Sequence, residues 1–431
     1  MDSALNTGDT AWLITATAMV LLMIPGLALF YGGMVRSKSV LNMLMMVMGA
    51  AFVVGILWVF YGYSMTFGTS SGGLIGNFTE YFGLESLIAD DPEATTPPIA
   101  FVAFQMMFAC LTVGLIAGAI ADRTKYAAWM VFAGVWASLV YFPVAHWVWA
   151  SGGWIFEMGV IDFAGGTAVH INAGAAALAL AIIIGKRRGW PKTPMRPHNL
   201  TIVMLGAGLL WFGWFGFNAG SALAANNTAA VVVLNTMAAT CAAAIAWLVV
   251  EKIRDGHATS LGAASGIVAG LVAITPACSA VSPIGAIIVG VVAGALCALA
   301  VSLKYKFKYD DSLDVVGIHL VGGLVGTLLI GILATDLAPA GVNGLLYGGG
   351  ADQLGKQAIG AFAVLGYSLI VTAIIAFIIK AVMGFRADEE SEAEGVDLTE
   401  HAESAYELGD SGGGGVFAGV GHAARSKSEE M

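Results

Sequence analysis

Eleven apolar stretches, each roughly long enough to cross a bilayer, occupy most of this 431-residue chain. They run over about 10–32, 39–67, 99–121, 127–147, 166–185, 199–217, 227–250, 261–275, 283–303, 315–333 and 357–383. Charged residues make up 11% of the chain, where a soluble domain carries about 25%. Within hydrocarbon every backbone N–H and C=O must be satisfied inside its own segment, which favours helices. The expectation is an all-α polytopic membrane protein with eleven transmembrane helices. The eighth stretch, SLGAASGIVAGLVAITP, is short and glycine-rich and makes the weakest case.

Charge orients these helices. With the N-terminus outside, the inner loops hold Arg36, Lys38, Arg123, Lys125, Lys186, Arg187, Arg188, Lys192, Arg196, Lys252, Arg254, Lys304, Lys306 and Lys308. The C-terminal side adds Lys380, Arg386, Arg425 and Lys427, so of the 19 basic residues only Lys356 falls outside. The excess of Lys and Arg on one side marks the cytoplasm. The C-terminus is then cytoplasmic, and the odd helix number agrees with it. The N-terminal MDSALNTGDTAW lacks the basic region of a signal peptide. The first helix is expected either to follow a removed segment or to insert unaided.

Five helices precede the basic loop 186–198 and five follow it before residue 334. An odd number per half gives the halves opposite orientation, the inverted repeat of many transporters. The eleventh helix has no counterpart and is expected to wrap the outside. Two histidines support the repeat. His170 lies in GTAVHINAGAAALALAIII and His319 in VVGIHLVGGLVGTLLIGIL, in the fifth and tenth helices. Each has an aspartate eight residues upstream (Asp162, Asp311) and a glycine four residues downstream (Gly174, Gly323). An ionisable residue at bilayer depth is expensive and marks a substrate or proton path. Facing imidazoles could share a proton; the bland alternative is a hydrogen bond to a neighbouring helix. No metal-ligand spacing accompanies them, no CxxC pair occurs, and no cofactor is expected. The four cysteines read as small buried hydrophobes.

Asp311 reads as a helix cap, and Asp162 either as a cap or as a residue holding a cation site together. Gly114/Gly118 and Gly262/Gly266 suit close helix packing. Aromatic residues gather toward the outer side: Trp147, Trp149 and Trp154, FQMMF at 104–108, and WFGWFGF at 211–217. Interfacial belts explain many such residues. The alternative is a cage in which an ammonium-type cation meets ring faces, worth about 0.5–2 kcal/mol. Phe30, Tyr31 and Tyr141 are candidates for the same region, and Ser221 could accept a hydrogen bond at the mouth. No nucleotide loop, catalytic triad or nucleic-acid surface appears, so the chain is not expected to be an enzyme.

The segments GLALFYGGMVRSKSVLNM, AFQMMFACLTVGLIAGAIADR, YFPVAHWVWASGGW, DFAGGTAVHINAGAAAL, WFGWFGFNAGSALAANNTAA, DDSLDVVGIHLVGGLVGTLL and GVDLTEHAESAYE resemble the ammonium transporter family (Amt/Mep/Rh). The tail motif is closer to the prokaryotic Amt branch. The resemblance implies a homotrimer in the cell membrane with one pore per subunit, passing ammonium or ammonia. It implies outer recruitment by Trp149 and Ser221, beside Phe108. It implies a gate formed by Phe108 and Phe217, a pore dyad of His170 and His319, and support of the outer site by Asp162. It further implies a transmembrane channel domain over 1–385, a cytoplasmic regulatory region over 386–408, and a possible PII-type signalling partner at the cytoplasmic face. The glycine-rich stretch 409–431 matches no pattern of the family and reads as a disordered tail. NH3 would cross with or without its proton. A sensor of the same fold, an Rh-like NH3/CO2 channel, and a membrane enzyme using the histidines with a metal remain as alternatives.

Overall fold

The backbone of each apolar run closes on itself, and the computed structural model, which describes residues 5–406 apart from 90 and 92, is built from eleven long helices. These are α1 (Thr7–Met34), α2 (Val40–Phe67), α3 (Pro98–Ile120), α4 (Tyr126–Glu157), α5 (Gly166–Ile184), α6 (Leu200–Gly220), α7 (Asn227–Asp255), α8 (Ser260–Ala277), α9 (Pro283–Phe307), α10 (Val316–Leu333) and α11 (Asp352–Val382). All are long and apolar enough to cross a membrane, and the protein is a multi-pass membrane protein. The weak eighth stretch is a full helix because its glycines face neighbours: Gly266 and Gly270 lie against α7, where a Cβ would sit 2.9 Å from the Cα of Ala244 and 2.8 Å from that of Thr240. The fourth helix extends beyond residue 147, where its apolar stretch ends. That helix runs to Trp149, turns at Ala150–Gly153, and resumes for four residues at Trp154–Glu157.

Packing follows the expected repeat. The α2–α3, α1–α3 and α2–α4 contacts of the first half recur as α7–α8, α6–α8 and α7–α9 in the second. The two halves meet through their own equivalents, α1 on α6 and α5 on α10. Of the spans, α5 is the most enclosed and α11 the least; α11 lies against α5 and α10 on the outside of the bundle.

Polar residues collect at the two ends. One end carries the start of α1, a small hairpin of β1 (Ser70–Ser71) and β2 (Ile75–Gly76), and the turns after α4, α6 and α10. We call it the acidic end. The other carries the basic loops and is tied by a buried ion cluster. Arg187 bonds Asp122 at 3.0 Å and Asp310 at 2.9 Å, and Arg36 approaches Asp122 at 3.4 Å. Arg123 is wholly buried beside them and donates to the Asp310 carbonyl and to Ser312. Burial pushes the Asp122 and Asp310 carboxyls up, but the arginines outweigh it and hold both below the ordinary carboxylate value.

The segment after α11 docks on this basic end through α12 (Glu389–Glu394) and α13 (Val396–His401). Asp397 accepts from the Asn42 N–H in the first turn of α2, and Glu400 from the Tyr126 N–H in the first turn of α4. Carboxylates at helix N-termini meet orphan donors and a favourable dipole. His401 bonds Asn42, Tyr406 bonds His198, and Lys38 donates to the Ala393 carbonyl. The glycine-rich stretch expected to be a disordered tail, 409–431, lies outside the described residues.

Candidate functional site

The site starts from two capped helix beginnings. The Asp162 carboxylate accepts four backbone N–H groups, from Gly165 and Gly166 on Oδ1 and from Thr167 and Ala168 on Oδ2, at 2.6–3.0 Å. Asp311 does the same for Val315 and Val316 at 3.1 and 2.8 Å. Both aspartates are therefore caps, and their oxygens are engaged with the chain. A wide π-helical turn follows each cap, Gly166–Ile171 in α5 and Val316–Leu320 in α10, and each turn carries one of the histidines. The paired glycines explain how the two turns meet. A Cβ on Gly174 would lie 2.5 Å from the Leu320 nitrogen, and one on Gly323 would lie 3.1 Å from the Ile171 nitrogen. Any larger residue would hold α5 and α10 apart just where the imidazoles face.

His170 and His319 are buried, with their Nδ1 atoms 3.2 Å apart and their ring centroids 5.3 Å apart. A bond between two Nδ1 atoms needs one protonated and one bare nitrogen. His170 Nε2 is buried with no hydrogen-bond partner. Trp214 stacks on His170 at 5.5 Å and 19°.

Toward the acidic end the rings continue. Phe217 is 6.2 Å from His170 and stacks on Phe108 at 4.1 Å and 21°. Phe108 meets Trp149 edge-on at 5.9 Å and Phe104 at 4.9 Å. Trp149 is held by its indole N–H, which donates to the Asp162 carbonyl at 2.9 Å. One residue thus serves two parts: its main chain orients Trp149, and its carboxylate caps the turn of His170. Ser221 follows α6, and its hydroxyl donates to the Phe217 carbonyl at 2.9 Å, which leaves the oxygen lone pairs as acceptors.

Several sequence expectations were misplaced. Phe30 and Tyr31 lie near the basic end, because α1 runs there from Thr7. The Tyr31 hydroxyl donates to the Leu115 carbonyl. Trp147 bonds the Leu74 carbonyl and packs on Trp154 and Tyr367, away from Phe108. Tyr141 is not among these: it is buried with its ring edge-on to Phe142 and lies close enough to Asp162 to interact with it electrostatically. Trp214, grouped with the outer aromatics, belongs beside His170. Its spacing of three from Phe217 places both on one helix face and could have signalled this. Among the described residues no three His, Cys, Asp or Glu side chains are grouped to hold a metal.

A family model described as the Ammonium Transporter Family matches residues 11–406. The chain belongs to that family. An ammonium transporter from Mycobacterium bovis is 60% identical over 93% of this chain and 90% of its own. The solved structure of Mep2 from Saccharomyces cerevisiae superposes with a TM-score of 0.83 at 34% identity, over 95% of this chain and 93% of that one. A structure titled as a sensor Amt protein matches with a TM-score of 0.84 at 30% identity, over 91% and 98%. The ammonium transporter fold is thus common to proteins described as transporters and to one described as a sensor.

Proposed function

We propose that this chain carries ammonium across the cell membrane, with its acidic end outside and its basic end in the cytoplasm. The orientation rests on the basic loops, which sit at one end. Ammonium is recruited beside Trp149, Phe108 and Ser221, where ring faces and a hydroxyl oxygen replace part of its water. A desolvated cation over an indole gains about 2 kcal/mol. It does not gain enough to enter the apolar interior as a bare ion, which costs several kcal/mol. The proton is therefore passed to solvent water at the mouth beside the Phe108–Phe217 stack, which acts as the gate, and NH3 continues to His170 and His319, with or without a separate relay of the proton. Potassium has no proton to lose and is rejected. Asp162 supports the site without touching substrate, since both its oxygens are taken by backbone N–H groups.

The observation that carries this reading is the histidine pair. It is buried, it is bonded ring to ring at 3.2 Å, and it lies directly beneath a stacked phenylalanine pair. Such a pair is expensive among apolar helices and offers ammonia a hydrogen-bond partner. The unpaired Nε2 of His170 is the atom available for it. The functional unit is a homotrimer with one path per subunit: residues 1–385 form the channel, and the tail from 386 to 408 forms a regulatory region open to a PII-type protein. Transport is preferred over sensing because the 60%-identical relative is described as an ammonium transporter. Purified protein in liposomes should take up methylammonium saturably and exclude potassium. Liposomes that show neither uptake nor an ammonium-driven current would overturn the transport reading.

A further inference from the structure

His146 is a buried titratable side chain that the path above does not use. It sits in the last turn of α4 before the break at Ala150–Gly153, three residues before Trp149, and is completely enclosed. Its Nδ1 lies 2.7 Å from the Thr66 carbonyl oxygen. A carbonyl only accepts, so Nδ1 bears the hydrogen. Thr66 belongs to the last turn of α2, where carbonyls have no partner further along the helix. His146 supplies that partner from another helix.

The second nitrogen faces the hairpin. His146 Nε2 is 2.8 Å from Ser70 Oγ, and Ser70 Oγ is 2.9 Å from the Gly152 carbonyl. With Nδ1 protonated, neutral Nε2 can only accept, and so can the Gly152 carbonyl; the single Ser70 hydrogen serves one of them at a time. Ser70 of β1 thus links either to His146 or to the turn after Trp149, while the His146–Thr66 bond ties α4 to the end of α2. The same turn is held by Trp154 N–H to the Gly73 carbonyl and by Gly152 N–H to Glu157. Trp149 is the last residue of the helix that this clasp terminates. Its indole is anchored on the far side by Asp162. The angle of that indole over Phe108 then depends on both anchors.

We propose that His146 is a positioning residue for ammonium recruitment: it ties the ends of α2 and α4 to the β1–β2 hairpin and so fixes Trp149, without touching the substrate. This rests on Trp149 being part of the recruitment site. Saturable methylammonium uptake into liposomes tests it. His146→Phe keeps the bulk and loses both contacts, and should raise KM about tenfold. The saturated rate should stay within about twofold, as for a change confined to binding. His146→Asn keeps a donor for Thr66, and Ser70→Ala removes only the hairpin link; each should raise KM about threefold. The decisive comparison is made in a Trp149→Leu background. There His146→Phe should add nothing further, because it acts through Trp149. Full additivity overturns the proposal, as does an unchanged KM in both Ser70→Ala and His146→Asn. Ser70→Ala keeps the test available if His146→Phe does not fold, since Ser70 is only partly buried. Absence of saturable uptake in the wild type overturns both this proposal and the transport reading; normal wild-type uptake with unmoved variants overturns this one alone.

Discussion

Two imidazoles joined through their Nδ1 atoms hold one hydrogen between them. Their Nε2 atoms therefore differ, one bare and one protonated. Replacing either His170 or His319 with Ala removes this partnership and leaves a space between α5 and α10. Loss of one hydrogen-bond partner corresponds to about tenfold in rate or affinity. Methylammonium uptake should fall by about that factor, or potassium should begin to permeate, with the fold intact by circular dichroism. Two single variants that both transport and select like the wild type would remove the dyad from the mechanism. Trp149→Leu keeps an apolar side chain and deletes the ring face. A loss of about 1–2 kcal/mol corresponds to a rise in KM of roughly five- to thirtyfold. An unchanged concentration dependence would return Trp149 to an interfacial role. The histidine pair was legible in the sequence because each His brought the same neighbours with it, an aspartate at −8 and a glycine at +4. The depth of an aromatic residue was not legible from clustering alone. Tyr31 and Trp214 each sit in an aromatic run, yet one lies at the basic end and the other on His170. Helix direction and face decide between such places, and neither is contained in the cluster itself.

At the scale of elements, the spans were legible because the hydrocarbon sets their length and excludes charge. The irregular parts were not, since the stop of α4 at Trp149 and the wide turns of α5 and α10 depend on partners distant in sequence. The ion cluster at the basic end is of this kind. Arg187, Asp122 and Asp310 come from loops more than 60 residues apart and looked like ordinary loop charges. They are nearly fully enclosed, so Arg187→Leu would leave two buried carboxylates without their main partner. A cost of about 3–5 kcal/mol is expected, and should appear as a lowered melting temperature in detergent with the pore residues unaltered. Melting like the wild type would mean that water reaches the cluster. The pH dependence has a definite sign. Both carboxyls titrate below their ordinary value in the folded protein. Their stabilisation is therefore complete above about pH 4 and is lost as the pH falls through the lower folded values. Hydrogen exchange in residues 185–199 should be flat between pH 5 and 7 once corrected for intrinsic rates. Protection that is lost already at pH 6 would contradict the assignment.

For the whole molecule, the question is what a docked tail adds to a bundle already complete without it. The tail is acidic and the inner loops at Lys186, Arg187, Arg188, Lys304 and Lys306 are basic, so the two attract. The contacts made are mostly of another kind, and only Glu392 reaches that set, at the Arg188 N–H. Asp397 and Glu400 cap the first turns of α2 and α4, Glu392 meets Arg386 and the Arg188 N–H, and Tyr406 reaches His198 just before α6. One segment therefore touches the starts of three spans, two of which lead to ends beside the acidic-end site: α4 carries Trp149 and α6 carries Phe217. Exposed charge pairs would contribute only about 0–1 kcal/mol each, whereas caps act on the helices themselves at about 1 kcal/mol apiece. The tail thus contacts the starts of the helices that carry Trp149 and Phe217, the residues proposed for recruitment and gating. Ending the chain after Arg386 removes these caps and leaves every pore residue in place. The truncated protein should insert and assemble like the full chain, conduct methylammonium several-fold more slowly, and fail to respond to a PII-type protein added at the cytoplasmic face. The drop should be partly reproduced by Asp397→Ala together with Glu400→Ala, which cut two caps and leave the rest of the tail. A truncation that conducts fully and still binds and answers to that regulator would make the tail a passenger on the bundle.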